Sequence, residues 1–397
     1  MSEASSNDMI HAGSVEHFLS AAFLRRLESP LEQSTGLPNA AYIDPLFLKL
    51  ENERVFHRSW ILAGFQHEIP HPGDVVPVTV ADQPLILVRD EQGDIRAFHN
   101  VCRHRGARLV DKPCRHAKLL RCPYHHWTYN LDGHIRNRPH FYGPDQHDTP
   151  TERETRIRLS EVRCGVWHDI VCVNLDGRAT TFEEYIRPAA DRLAHYDFSA
   201  LRYAGSLDFE LKCNWKLIHE NFIEPYHVFA VHPGLLKFGP MSQRRASEFE
   251  NACLWNDYEF PAPEEGRGMG LPHYPGLDER HQRLAMWFHL FPTLSFEIFP
   301  DQFAIIQLTP VTAECTHERI HIYLVGDAAT APEYEQARTV VFDTWRNLNA
   351  EDVEVVESLQ AGRHSPGFDG GVLSPYWDGA TRQFARLIAN AMTQTNN

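Results

Sequence analysis

Apolar residues first recur at helical spacing, in "VEHFLSAAFLRRLE" (15–28) and "DPLFLKLENERVFHRSW" (44–60). Asp44 and Pro45 give the second piece an N-cap and a first-turn proline. From Pro70 the period changes to two. "DVVPVTVADQPLILVRDEQGDIRAFHN" (74–100) alternates or runs in β-branched residues and breaks at Ala81–Asp82 and in "DEQGD", so it predicts a β-meander. A strand pair around "GVWHDIVCVNLDG" closes this β-rich block near residue 177. A helix follows in "TTFEEYIRPAADRLAHY", then strands in "SLDFELKC", "AMWFHLFPTLSFEIFP", "FAIIQLTPVT" and "HERIHIYLVGD". Among them lies the Gly/Pro-rich loop "EFPAPEEGRGMGLPHYPGLDERHQ" (259–282), of the kind that covers active sites. The last element is a helix, "GATRQFARLIANAMTQ". The pattern is α+β in three parts: a helical segment over 1–49, a β-rich domain over 50–177 and a mixed domain over 178–397.

Composition narrows the partners. A chain of 397 residues with 43% hydrophobic and 23% charged residues has the balance of a globular protein. Its net charge of −15 argues against a nucleic-acid or anionic-membrane surface. The polar start "MSEASSNDMIHAG" has no apolar signal core, and no run of apolar residues is long enough to span a bilayer, so the expected location is the cytoplasm. Cys164, Cys172, Cys213, Cys253 and Cys315 read as small buried hydrophobes, and Cys114, in "DKPCRH", as an exposed thiol.

Two cysteines have different company. "NVCRHRGARL" and "CPYHHWTYNLDG" together give Cys102-x-His104, seventeen intervening residues, and Cys122-x-x-His125. Two Cys and two His suit zinc or an iron–sulfur cluster. Zinc fingers commonly pair like with like, whereas here each loop offers one thiolate and one imidazole. That split suits a two-iron cluster with both cysteines on one iron and both histidines on the other. His126 falls at the wrong offset to ligate, and Arg103 and Arg105 are placed to line the rim.

A second metal set lies in "NWKLIHENFIEPYHVFAVHP" (214–233). It starts as a helix that Pro225 kinks or restarts. His227 and His232 are about 140° apart on an ideal helix, so both reach one ion only with His227 on the helix and His232 on the turn after it. The missing carboxylate is sought in "NAEDVEVVESLQ". There Asp352 shares a stripe with Val355, Val356 and Leu359, while Glu351, Glu354 and Glu357 read as the solvated set. His227, His232 and Asp352 would form a two-histidine, one-carboxylate site.

Cys102-x-His104 and Cys122-x-x-His125 match the Rieske [2Fe–2S] motif, and Asn-Trp-Lys followed by Tyr-His and a later His resembles the catalytic segment of the Rieske non-haem iron oxygenases. The resemblance implies an N-terminal β-rich Rieske domain, then a helix-grip-like antiparallel-sheet domain holding mononuclear Fe(II). It implies dioxygen as co-substrate and a homotrimer in which one subunit's cluster feeds its neighbour's iron. No GxGxxG follows a strand, so NAD(P)H electrons would arrive through a separate flavin reductase, with or without a ferredoxin. Asn221 and Tyr226 would shape the surroundings of the iron, and Trp127 and Trp215 would be packing aromatics.

The resemblance also implies that Glu224 bridges His125 of one subunit to His227 of the next. Ring-dihydroxylating members usually carry Asp there, and the longer Glu resembles carnitine-oxygenase-like members. The expected activity is hydroxylation of a small organic substrate, leaning to monooxygenation that includes oxidative N-demethylation of a quaternary ammonium compound. Aromatic-ring dihydroxylation is the alternative within the family, and a Rieske electron carrier the alternative outside it. Trp287, Phe288, Phe291 and Phe296 offer aromatic surface, but alternate ones must face the core.

Overall fold

The computed structural model describes residues 15–147, 156–237, 239–261 and 267–394. These fall into two compact units. One joins the chain up to Val55 with the chain from Tyr185 onward, and the other is Phe56–Glu184. The β-rich unit thus starts at 56 and ends at 184, where the sequence pattern placed its limits at 50 and 177. Hydropathy has no sharp signal at either point, because short helical pieces lie across both.

The β-rich unit holds β1 (Ile61–Phe65), β2 (Val75–Val80), β3 (Gln83–Arg89), β4 (Ile95–His99), β5 (Leu120–Arg121), β6 (Thr128–Tyr129), β7 (Ile135–Asn137), β8 (Glu161–Trp167) and β9 (Ile170–Asn174). Six of them form a sheet in the order β1-β9-β8-β4-β3-β2, and β5-β6-β7 form a small second sheet. Ala81 and Asp82 both have positive φ (46° and 63°), making the tight turn between β2 and β3. Ile86, Val88, Phe98, Tyr129 and Leu159 are fully buried at the centre of this unit.

The larger unit is built on an antiparallel sheet of β10 (Leu201–Leu211), β11 (Glu248–Glu250), β12 (Cys253–Glu259), β13 (Leu284–Leu290), β14 (Leu294–Ile298), β15 (Gln302–Thr312) and β16 (Cys315–Val325), ordered β10-β16-β15-β14-β13-β12-β11. Its helices include α1 (Ala21–Leu27), α2 (Pro45–Glu51), α3 (Trp215–Phe222), α4 (Val228–Val231), α5 (Glu335–Gly362) and α6 (Gly379–Thr393). Asp44 caps α2 by accepting the Leu46 N–H at 2.8 Å. Strand parity sorts the aromatics of β13 and β14. Phe288 and Phe296 are fully buried and stacked at 5.2 Å, while Trp287 and Glu297 share the opposite face.

The α3 helix, which leads to the predicted iron segment, is anchored by buried charge. Lys216 Nζ pairs with Glu51 Oε1 at 2.8 Å, and both are fully buried. Trp215 donates its indole N–H to Glu51 as well. Tyr42 donates to Glu220 at 2.5 Å. Asn214 caps the helix through its contact with the Lys216 N–H and donates to Tyr42 O and Ala313 O. Such a network keeps a buried ion pair satisfied and fixes the helix in one register. Cys172, Cys213 and Cys253 are buried as expected of small hydrophobes, but Cys164 and Cys315 are only partly so. Both lie on strands with a face toward solvent. No described helix is long and apolar enough to cross a membrane.

Candidate metal centres and substrate cavity

In the β-rich unit, Cys102 and Cys122 open two turns of the same design. Each cysteine N–H bonds the carbonyl five residues on, Ala107 O or Trp127 O, at 2.8 Å. Each cysteine carbonyl takes the N–H four residues on, from Gly106 at 3.0 Å or His126 at 3.1 Å. Gly106 and His126 therefore occupy equivalent positions, and both have positive φ (75° and 55°). His126 closes its turn by backbone conformation, which leaves His125 as the inward imidazole.

The two turns bring four donors together. Cys102 and Cys122 are buried, and the rings of His104 and His125 lie 4.6 Å apart. Nδ1 of each imidazole is buried without a hydrogen-bond partner. Two thiols and two orphaned ring nitrogens fit a [2Fe–2S] group ligated through Sγ and Nδ1. Trp127 does more than pack: its indole stacks parallel to His104 at 4.6 Å and so fixes that ring. Tyr129 was missed in the sequence. Its buried hydroxyl lies 3.2 Å from Cys102 Sγ and receives the Arg103 N–H at 3.0 Å. Arg103 and Arg105 are exposed.

In the larger unit, α3 ends before Pro225 and the chain restarts as the single turn α4. His227 sits at the N-cap of that turn and His232 at its C-cap, so neither is inside a helix. Their rings are 5.3 Å apart, and Asp352 on α5 lies between them. Its Oδ1 is 3.0 Å from His232 Nε2 and 3.7 Å from His227 Nε2. Asn221 donates to the same oxygen at 2.9 Å. Each histidine turns its other nitrogen to an acid: His227 Nδ1 to Glu224 Oε1 at 2.7 Å, and His232 Nδ1 to Glu351 Oε2 at 2.6 Å. Carboxylate partners on Nδ1 leave Nε2 as the ligating atom, so the set fits one divalent iron with open positions. Burial lowers the His232 pKa, but Asp352 and Glu351 outweigh it and raise it above the usual value.

Three details correct the sequence reading. Glu351 is not merely solvated, since it holds His232. The buried face of α5 passes through Trp345, Val356 and Gln360, and Leu359 is exposed. Tyr226 is exposed, and its ring stacks on Trp377 at 5.7 Å and does not line the cavity beside His227, His232 and Asp352.

A cavity of about 410 Å³ opens from His227, His232 and Asp352 and lies wholly within this unit. Its walls are mostly apolar, with Phe222, Tyr258, Phe260, Trp287, Phe299 and Trp345 as the large aromatics. Five charged groups that sequence reading missed also line it: Arg244, Arg267, Glu297, Asp301 and Glu318. Burial pushes the Glu297 carboxyl up to about 7 against the opposing pull of Arg267. Burial likewise raises Glu318 to about 7, against the hydrogen bond from Asn349. Of the Gly/Pro-rich loop, residues 262–266 lie outside the described part; Arg267, the next residue, lines the cavity.

Comparison with known proteins agrees with both centres. Residues 59–147 match the Rieske [2Fe-2S] domain, and residues 198–394 match the ring hydroxylating alpha subunit (catalytic domain). The chain belongs to the Rieske non-haem iron oxygenases, as an oxygenase subunit whose cofactors are a [2Fe–2S] cluster and a mononuclear iron. It is 26% identical over 385 residues to the glycine betaine monooxygenase oxygenase subunit of Pseudomonas aeruginosa, covering 87% of this chain and 86% of that one. It is 28% identical over 341 residues to the carnitine monooxygenase oxygenase subunit of Acinetobacter pittii, covering 84% and 86%. In fold it is similar to the quaternary ammonium Rieske monooxygenase CntA, with a TM-score of 0.76 at 23% identity, covering 93% of this chain and 98% of that one. Naphthalene 1,2-dioxygenase from Rhodococcus shares the fold at a TM-score of 0.70 and 20% identity, covering 98% of each chain.

Proposed function

We propose that this oxygenase monooxygenates a small quaternary ammonium compound at a carbon bound to nitrogen. One observation carries the reading: Glu297 and Trp287 are directly paired across β13 and β14 on the cavity face, so a buried carboxylate and an indole face the space beside the iron ligands. A carboxylate and aromatic faces together suit a cation that cannot donate hydrogen bonds. The names of the relatives, glycine betaine and carnitine monooxygenase subunits, point the same way. So does Glu, rather than Asp, at position 224.

In overall balance, one atom of dioxygen enters the C–H bond and the other leaves as water, with two electrons and two protons consumed. The resulting α-hydroxylated ammonium then breaks its C–N bond to give an amine, a carbonyl compound and a proton. The metal centres supply dioxygen activation and electron delivery; the chain's own residues bind and orient the substrate. We place the reaction in a cytoplasmic homotrimer served by a separate flavin reductase, with Glu224 linking His125 of the partner subunit to His227.

The test is product identity with a purified reductase and NADH. A panel of trimethylammonium compounds and simple arenes is scored for carbonyl product and for cis-diol. Carbonyl release matching NADH consumption supports the reading. Cis-diol from an arene, with no carbonyl from any ammonium compound, would replace it by ring dihydroxylation.

A further inference from the structure

Arg267 stands out in the cavity because of what it lacks. Its guanidinium lies 3.9 Å over the ring of Phe299 and 5.0 Å from that of Trp345. Among the described residues no acceptor lies within hydrogen-bonding distance of it; Glu297 and Asp301 act on it only at longer range. A guanidinium stacked by its face keeps its N–H donors in its own plane, pointing outward in a fork that matches a carboxylate. Arg267 is half-buried at the cavity wall, where a ligand carboxylate would accept from this fork in a charge-assisted pair.

The backbone is shaped to hold this residue there. Gly268 has φ +85, and a Cβ at that position would collide with the Asp301 carboxylate. Only glycine lets the chain turn against Asp301 and direct Arg267 inward.

We propose that Arg267 receives a carboxylate at the far end of the substrate, so that the ligand is a zwitterion with its quaternary nitrogen beside Glu297 and the metal ligands. This rests on the quaternary ammonium reading and adds an anionic end and a length to it. Trp345 and Asp352 lie on one helix, seven residues apart, which is about 10 Å along its axis. A single carbon between nitrogen and carboxylate is too short for that span. An extended three-carbon spacer reaches about 6 Å from nitrogen to carboxylate oxygen, and a hydrogen bond of about 3 Å to the guanidinium brings it close to that span.

Four probes test this on the holoenzyme: trimethylammonium carboxylates with one-carbon and three-carbon spacers, the three-carbon trimethylammonium alcohol, and a carboxylate of the same length with tert-butyl in place of trimethylammonium. Binding is read by calorimetry and turnover by carbonyl release, with cluster spectrum and iron content as checks of folding. The wild type is expected to bind the three-carbon zwitterion more tightly than the one-carbon zwitterion, and to bind the tert-butyl carboxylate. In Arg267→Gln the preference for the zwitterion over the alcohol, and the affinity for the tert-butyl carboxylate, should each fall about ten- to hundred-fold. Arg267→Lys should recover only part of that, because an ammonium lacks the planar fork. Failure of the wild type to bind the tert-butyl carboxylate, or equal binding by Arg267→Gln, overturns the proposal. If that binding does depend on Arg267 while no ammonium compound is turned over, the anion site stands and the ammonium reading falls.

Discussion

The Glu351 carboxylate takes the Nδ1–H of His232 at 2.6 Å and thereby aims Nε2 of that ring at Asp352, 3.0 Å away. Glu351 and Asp352 are adjacent on α5, so one turn of helix would supply both a proposed metal ligand and the group that orients another. Glu351→Gln keeps the length but removes the charge. Iron affinity at the mononuclear site should fall about tenfold or more, with the visible spectrum of the cluster unchanged. Chelator competition followed by iron analysis reads this directly. Equal iron retention in the variant and the wild type would reduce Glu351 to a surface acid.

The two metal centres should separate by mutation. His227→Ala or Asp352→Ala should lose the mononuclear iron and all turnover while keeping the Rieske absorbance. Cys122→Ser should lose the absorbance instead. Asp352 is already held by Asn221 at 2.9 Å, so removing it also leaves that amide unpaired. Full iron content in Asp352→Ala would move the ligand role to Glu351.

Much of this was legible because the relevant residues break local rules. Cysteine and histidine at fixed offsets, and an acid on an apolar stripe, are costly without a ligand. The same logic applies to Glu297 in "LSFEIF", an acid inside a buried strand, but that run was read only for its aromatics. The α5 stripe was misjudged because Gln360 occupies the buried face. It accepts the Asn214 N–H at 2.9 Å and donates to Tyr42 O at 3.2 Å, a polar residue buried by partners far off in sequence. The pairing of Lys216 with Glu51 was hidden for the same reason, being 165 residues apart. Arg267 gave no signal at all, since a Gly/Pro-rich loop has no period from which to assign a face.

A buried histidine pair gives a pH-dependent stability. His289 Nδ1 and His219 Nδ1 share the Ser295 hydroxyl at 2.9 and 3.1 Å. Burial lowers the His289 pKa to about 3 and holds His219 well below its usual value. In the unfolded chain each takes up a proton near pH 6.5, whereas the folded imidazole stays neutral. The unfolded state therefore binds more protons, and this contribution to stability is lost as pH falls from about 6.5 toward the folded value. Relative to His289→Gln, the wild type should lose about 1.4 kcal/mol per pH unit in that window. Melting curves of both proteins at pH 7, 6 and 5 test it, and a constant gap between them counts against a neutral buried His289.

The last prediction concerns Glu224. Its Oε1 accepts from His227 Nδ1 at 2.7 Å, and its Oε2 accepts the backbone N–H groups of Tyr226 and His227. The side chain thus does two jobs: one oxygen caps the turn that carries His227 and His232, and the other holds the His227 ring. Glu224→Gln separates these from charge. The amide oxygen can still cap the turn, so both metal centres should remain. What is lost is the anion beside His227, and with it the proposed bridge to His125 of the partner subunit. Steady-state coupled turnover should drop by about two orders of magnitude or more, because reduction of the mononuclear site by the cluster becomes slow. A single-turnover experiment distinguishes this from weaker substrate binding: with reduced cluster, oxygen and saturating substrate, oxidation of the cluster should slow in parallel with product formation. Glu224→Asp keeps the charge but shortens the reach, and should fall between the two. Near-wild-type cluster oxidation in Glu224→Gln, with both metals present, would leave Glu224 as a capping residue only.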